Sequence, residues 1–329
     1  MYLKGGTQIS TLHQEQNKII KILFSEYYEK VELDLPNDME LREFAYQPFD
    51  SEAYVRHLSF SSPQELKQYI LQNVPLHLYY SSARYQLPSA KEMDEKGWLG
   101  SDLLFDLDAD EICEAKVRRF CPQDGYETLA SNCNGEPPIE YTEITTECIM
   151  KVFQKALLIK DILKEDFGLD ARVFFSGNRG FHLRVTCYED CALLDPDDRK
   201  EIAEYFTSPK PPVIYEENPG WSGRIAKGIE GINIDTQVTI DIRRLIRIPG
   251  SLNGKAGLMV VEIKNDKFEY GEWLSPFDGD CVFLPYVSAE LTLFNKKYTV
   301  KRNYPIKIDT RIGVYLTLKG LGKVKAYVR

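Results

Sequence analysis

No apolar stretch of this 329-residue chain approaches the roughly 20 residues that a membrane-spanning helix needs. The opening Met1-Tyr2-Leu3-Lys4-Gly5-Gly6 lacks the charged-then-apolar order of a secretion signal, so a soluble, cytoplasmic protein with no membrane partner is expected. There is no Cys-x-x-Cys, and seven cysteines, an odd number without that signal, speak against a disulfide framework. No internal repeat is present. Regular β-α-β alternation is missing too, which points away from a doubly wound sheet and toward an α+β fold whose mixed sheets are flanked by helices. Nor is there an excess of positive charge: the net charge of −9 argues against a generic nucleic-acid binder.

The charge is unevenly spread, however. Residues 296–329 carry ten Lys or Arg against one acid, Asp309. With Tyr298, Tyr304, Tyr315 and Tyr327 interleaved, this segment would suit a phosphate backbone; it would equally suit an acidic partner or the protein's own acidic body. Composition is that of an ordinary globular protein, 43% hydrophobic and 28% charged, long enough for one large or two modest domains.

Helical spacing of Ile19, Ile20, Ile22, Leu23 and Tyr27 predicts a helix over about Gln14 to Val31. Ser61-Ser62-Pro63 is a start signal for a second helix through Leu66 to Leu71, and Cys148 to Phe167, stopped by Gly168, is the clearest helix. Strands are expected at Leu76 to Tyr80 and Leu103 to Asp108. Two more, Arg172 to Ser176 and Phe181 to Val185, flank a tight Gly177-Asn178-Arg179-Gly180 turn. Asp195 to Phe206 reads as helix, Pro209 to Gly223 as a long loop, and Val238 to Ile248 as strand or helix ending at Pro249-Gly250-Ser251.

Two carboxylates, Asp106 and Asp108, stand where the apolar strand Leu103-Leu104-Phe105 should continue. Residues two apart on a strand share a face, so the acids lie about 6 to 7 Å apart, a costly pair unless a cation such as Mg²⁺ or Mn²⁺ sits between them. The alternative is an exposed strand edge with acids facing water. Four cysteines, Cys113, Cys121, Cys133 and Cys148, fall within 36 residues, around a polar Gly- and Pro-bearing stretch with little apolar content. A tetrahedral zinc would supply the missing stability, with Asp124 a possible substitute ligand; four unrelated thiols are the other possibility. Ser176, Arg179 and His182 surround the Gly-flanked turn, whose amides and guanidinium suit a triphosphate. Arg244, Arg247 and Lys255 cluster about a second Gly-rich loop. Taken singly, these are also what a surface hairpin and a solvated loop lysine look like.

Taken together, Phe105-Asp106-Leu107-Asp108, Ser176 through His182, and Asp235 followed twenty residues later by Lys255 resemble, in order and spacing, the three motifs of the archaeo-eukaryotic primase small subunit. The resemblance extends through Arg42-Glu43-Phe44, Tyr54-Val55-Arg56 and Lys164-Glu165-Asp166-Phe167-Gly168 and covers roughly residues 42 to 257. Asn233-Ile234-Asp235 and the cysteine-rich insert look most like the archaeal catalytic subunit.

The resemblance implies a primase catalytic core with its N-terminal part at 1–185, including a zinc-binding insert at about 113–148. A small helical or irregular insert would follow at 186–230, and the C-terminal part of the core with its basic tail at 231–329. It implies primer synthesis on single-stranded DNA from nucleoside triphosphates, with a large subunit as partner and a nucleoid-associated location. Asp106, Asp108 and Asp235 would hold two divalent metals, Mg²⁺ or Mn²⁺, with Asp241 a rival for the third position. Ser176, Arg179, His182, Arg247 and Lys255 would face the nucleotide, and Cys113, Cys121, Cys133 and Cys148 would hold zinc. Asn253 stands where many relatives carry His, and Asn178 where some carry Arg. A related end-repair polymerase, which extends primers without initiating them, is the alternative.

Overall fold

The computed structural model describes residues 6–208 and 231–328, with side chains from Lys18 onward. The expected loop at Pro209 to Gly223 and the end of the 186–230 insert lie outside the described residues.

Two sheets form the body. The first contains β1 (Arg42–Gln47), β2 (Val55–Leu58), β3 (His77–Tyr85), β4 (Trp98–Ser101) and β10 (Leu245–Arg247), in the order β10-β3-β1-β2 with β4 also on β3. The second contains β5 (Leu103–Asp108), β8 (Ala171–Phe175), β9 (Gly180–Val185) and β13 (Val261–Glu262), in the order β13-β8-β9-β5. Two short pairs complete this half: β6 (Lys116–Phe120) with β7 (Ile139–Glu143), and β11 (Leu252–Asn253) with β12 (Leu258–Met259). The architecture is α+β, and the named strand pairings are antiparallel.

The helices are α1 (Gly6–Lys30), α2 (Pro63–Asn73), α3 (Ala109–Ile112), α4 (Thr146–Phe167), α5 (Glu189–Ala192), α6 (Pro196–Thr207), α7 (Thr236–Ile240) and α8 (Thr310–Leu318). Capping sets their starts. The Ser62 hydroxyl accepts from Glu65 N ahead of Pro63, and Asp195 forms a capping box with Asp198. Thr145 caps α4, which therefore begins two residues before the expected Cys148, and Gly168 at φ +67° ends it.

Strand alternation explains the second sheet. Leu103, Phe105 and Leu107 pair with Val185, Leu183 and Phe181, and this apolar face is buried with α4 and α6. Phe105 meets Phe206 edge-on at 5.2 Å, while Phe153 and Phe175 close on Phe181. The opposite face carries Leu104, Asp106 and Asp108, opposite Arg184, His182 and Gly180.

In the first sheet β3 is buried along its length despite Ser81, Ser82 and Arg84. The charge is compensated: Arg84 pairs with Asp102 at 2.9 Å and with Asp38, which also takes Arg42 at 2.9 Å.

The segment expected as a basic tail is folded. β14 (Asp280–Pro285), β17 (Ile306–Asp309) and β18 (Gly322–Val328) form a sheet beside α8, and β15 (Ala289–Leu293) pairs with β16 (Lys296–Val300). Inward Cys281 and Phe283 alternate with exposed Asp280 and Val282 on β14. Lys296, Lys297, Lys307 and Arg311 pair with Glu272, Glu290, Asp280 and Asp278, so part of the positive charge docks on the protein's own acids. α1 packs on β18, with the Tyr327 hydroxyl donating to Glu26 at 2.9 Å. Among the described residues no helix is long and apolar enough to cross a membrane.

Candidate active site

A cleft of about 530 Å³ lies between the two sheets. One wall is the polar face of β5 and β9. Direct pairing of Asp106 with His182 brings His182 Nε2 within 3.3 Å of Asp106 Oδ1. Asp108 lies across from Gly180, where a Cβ would run into both the Leu107 carbonyl oxygen and Asp108 Oδ1; only glycine leaves room for that carboxylate.

Asp235, far along the sequence from Asp106, is tied to it through the backbone: its N–H donates to the Asp106 carbonyl at 3.0 Å, and its side chain caps α7 by accepting from Gln237 N. Its Oδ2 is 3.9 Å from Arg244. Asp241 instead spends an oxygen on Arg243 N at 2.8 Å while still lining the cleft.

These carboxylates repel one another. Burial, then Asp235, push the Asp106 carboxyl up to about 6. Burial and Asp106 raise Asp108 as well. Asp106 Oδ1 is buried and, although His182 Nε2 lies 3.3 Å away, it accepts no hydrogen bond. A hard divalent cation answers both conditions, since it supplies opposite charge and takes oxygen lone pairs. Among the described residues no group of three or more His, Cys, Asp or Glu is gathered closely enough to hold an ion as it stands.

The facing wall is cationic. Arg247, on β10 opposite Tyr79, lies over the Tyr79 ring at 5.0 Å and meets His77 Nδ1 at 2.5 Å. Burial, Arg247 and Lys255 hold His77 down at about 2, so the neutral ring serves as acceptor and also takes the Gly254 N–H at 3.2 Å. Burial and Arg247 likewise push His182 down to about 4, leaving a neutral imidazole beside the acids. Arg179 sits at the mouth with Asp110 at 2.7 Å and Asp108 at 4.0 Å. Ser176 and Lys255 line the same cleft.

Asp106, Asp108, Ser176, Arg179, His182, Arg247 and Lys255 thus line one cleft, whereas Asp235 is outside its lining and is tied to it by the backbone bond to Asp106. Sequence reasoning missed His77 and the structural work of Asn253. Asn253 is 2% exposed, donates from Nδ2 to the Ser176 carbonyl at 2.8 Å, and accepts from Lys255 N at 3.0 Å, which locks the two loops together. No local sequence signal marks this contact, which exists only in the fold: Gly177, at φ +76°, has Asn253 Cβ 2.8 Å from where its own Cβ would be.

The cysteines expected to bind zinc lie in pairs. Cys113 is joined to Cys148 and Cys121 to Cys133 as two pairs, with Cys187 joined to Cys191. The four residues expected to share one zinc are not drawn round a single point among the described residues. Asp124 accepts from Tyr126 N instead of approaching them as a ligand.

Comparison with known proteins finds relatives that match nearly the full sequence. One from Sulfurisphaera tokodaii, named DNA primase small subunit PriS, is 95% identical over 318 residues, covering 100% of its own length and 97% of this chain. Its namesakes from Sulfolobus acidocaldarius and Staphylothermus marinus are 60% and 35% identical, covering 100% and 96% of their own lengths and 98% and 94% of this chain. The family PriS_C, a primase C-terminal domain, matches residues 279–328. A solved polymerase domain of Mycobacterium tuberculosis Ligase D in complex with DNA covers 84% of its own length and 76% of this chain, at 14% identity and a TM-score of 0.43, a likeness too loose to bear on function.

Proposed function

This chain belongs to the family of DNA primase small subunits, the catalytic subunits of primase, and we propose that it builds short primers on single-stranded DNA by template-directed nucleotidyl transfer from nucleoside triphosphates. The observation that supports the reading is the backbone bond from Asp235 N–H to the Asp106 carbonyl, together with the charge of Asp235 felt at Asp106, on the wall facing the arginines.

In that reaction a 3′-oxygen attacks the α-phosphorus, the new P–O bond forms as the bond to the β-phosphate oxygen breaks, and pyrophosphate leaves. Asp106, Asp108 and Asp235 would hold two divalent ions, Mg²⁺ or Mn²⁺, which would lower the pKa of the attacking hydroxyl and neutralise charge on the leaving pyrophosphate. Arg247 and Lys255 bind the triphosphate from the wall facing the acids, Arg247 oriented by His77. The neutral His182 ring donates one N–H without adding a charge beside the acids. Arg179 exchanges Asp110 for phosphate when the nucleotide enters. The Ser176 hydroxyl, which accepts from Gly180 N at 3.2 Å, holds the turn that presents these groups.

The reading extends to a large subunit as partner. It also extends to structural zinc on Cys113, Cys121, Cys133 and Cys148: four thiols have the donor chemistry zinc takes, but they would have to leave their paired arrangement, so no part of the reaction is routed through zinc.

The test is priming on unprimed circular single-stranded DNA with labelled nucleotides and Mg²⁺ or Mn²⁺, with and without the large subunit, comparing wild type with Asp106→Asn and Asp235→Asn. Short products lost in both variants are expected. Extension of an annealed primer with no synthesis on the bare circle would mean an end-repair type of polymerase instead.

A further inference from the structure

A second recess, of about 260 Å³, opens beside the nucleotide cleft and shares Asn178, Arg179 and Lys255 with it. Its far side is built by a different part of the sequence. Lys319, at the C-terminal end of α8, donates to Asn178 Oδ1 at 2.7 Å, and its ammonium lies 5.1 Å from the centre of the Tyr315 ring. Tyr141 and Tyr270 complete the lining with polar-tipped rings. Glu140, the one acid on the recess, is paired with Arg119 at 2.7 Å.

We propose that this recess is a second phosphate-binding subsite, in which Lys319, Arg179 and Lys255 hold a phosphate group beyond those gripped in the cleft itself. The inference rests on the nucleotide-site reading above. Three cations converge from two loops and the end of α8; Glu140 is engaged by Arg119, Arg179 has Asp110 at 2.7 Å, and an anion resolves the repulsion that Lys319 and Lys255 retain. Burial, then Arg179 and Lys255, depress the Lys319 ammonium to about 7, as expected of a cation kept without its counter-charge. The ligand chemistry is that of a terminal phosphate, which has two sources here: pyrophosphate on its way out, and the last phosphate of a bound nucleotide.

The test is calorimetric binding of inorganic pyrophosphate to the full-length protein, as wild type, Lys319→Met and Lys319→Arg, with KM for nucleotide measured alongside. Lys319→Met is expected to weaken pyrophosphate about tenfold, the weight of one charged hydrogen bond, and Lys319→Arg to keep it within about threefold. A shift in pyrophosphate affinity alone identifies the leaving group as occupant. Equal shifts in pyrophosphate affinity and KM identify the terminal phosphate of the nucleotide. Unchanged pyrophosphate affinity in Lys319→Met overturns the subsite. Should that variant not fold, Asn178→Ala, which removes the amide that aims Lys319, repeats the test with the same outcomes. Asp106→Asn run in parallel separates the two ideas: retained priming there would sink the metal reading while leaving the pyrophosphate comparison to stand or fall by itself.

Discussion

Asn253 bridges the two phosphate loops by donating its amide to the Ser176 carbonyl at 2.8 Å while holding Lys255 N on its carbonyl oxygen. The residue that stands where relatives carry a possible cation therefore works here as a buried clamp. Asn253→Ala is expected to cost about 1–3 kcal/mol, because it orphans a buried carbonyl. It should also raise KM for nucleotide, since Ser176 and Lys255 lose their common anchor. Urea denaturation and steady-state kinetics check the two parts; full stability together with unchanged KM would refute the clamp.

The pH dependence of stability follows from Asp106. Its folded carboxyl titrates at about 6, above the ordinary value of 3.8, so between those values the folded protein binds a proton that the unfolded one does not. The penalty of the charged form is complete above about pH 6 and fades as pH falls toward 4. Without metal, Asp106→Asn is expected to melt higher than wild type at pH 7.5, with the gap closing toward pH 4. Thermal melts across that range decide it, and a gap independent of pH would count against the assignment. Protons and metal compete for the same oxygen, so priming should also decline below about pH 6.

Gly180→Ala should be severe. Its Cβ would collide with the Leu107 carbonyl and Asp108 Oδ1, and neither can give way without moving β5 against β9. A loss of about 2 kcal/mol or more and a collapse of activity are expected, typical of overpacking a rigid backbone site. A stable, active variant would mean that the strands open more easily than their packing implies.

The cysteines give a chemical test. Under reducing conditions about one zinc per protein molecule is expected, released by thiol reagents and lost in Cys121→Ser, with a lower melting temperature. A protein with no zinc, and with Cys113, Cys121, Cys133 and Cys148 silent to thiol reagents until reduced, would mean that the two pairs are the native state.

The second sheet and its acids were legible because one strand face is apolar and the other is not: Leu103, Phe105 and Leu107 alternate with Asp106 and Asp108, and periodicity reports that directly. α4 was legible from its helical spacing and its Gly168 stop, although its Thr145 cap went unread and its start was placed two residues late; α6 was legible as Asp195 to Phe206. β3 was read only in part, since Ser81, Ser82 and Arg84 look like a surface until Asp38 and Asp102 are known to neutralise the arginine. For the basic segment at 296–329, charge counting left a phosphate backbone, an acidic partner and the protein's own acids open, and the acids that Lys296 and Lys307 meet are visible only once the fold brings them together. Nothing local marks Lys319, whose partner Asn178 is 141 positions away.

The bond from Tyr327 to Glu26 joins residues 301 positions apart. α1 is made long before β18, a strand it packs against. Phe24 can meet Phe49 early, but the part of α1 that covers β18 must wait until that strand is made, a demand that favours slow, late closure and exposes the nascent protein to aggregation. Lys255 and Lys319 are likewise made well after Asp106 and Asp108, so a nascent protein carries its first two acids long before Asp235 and the lysines that would grip phosphate.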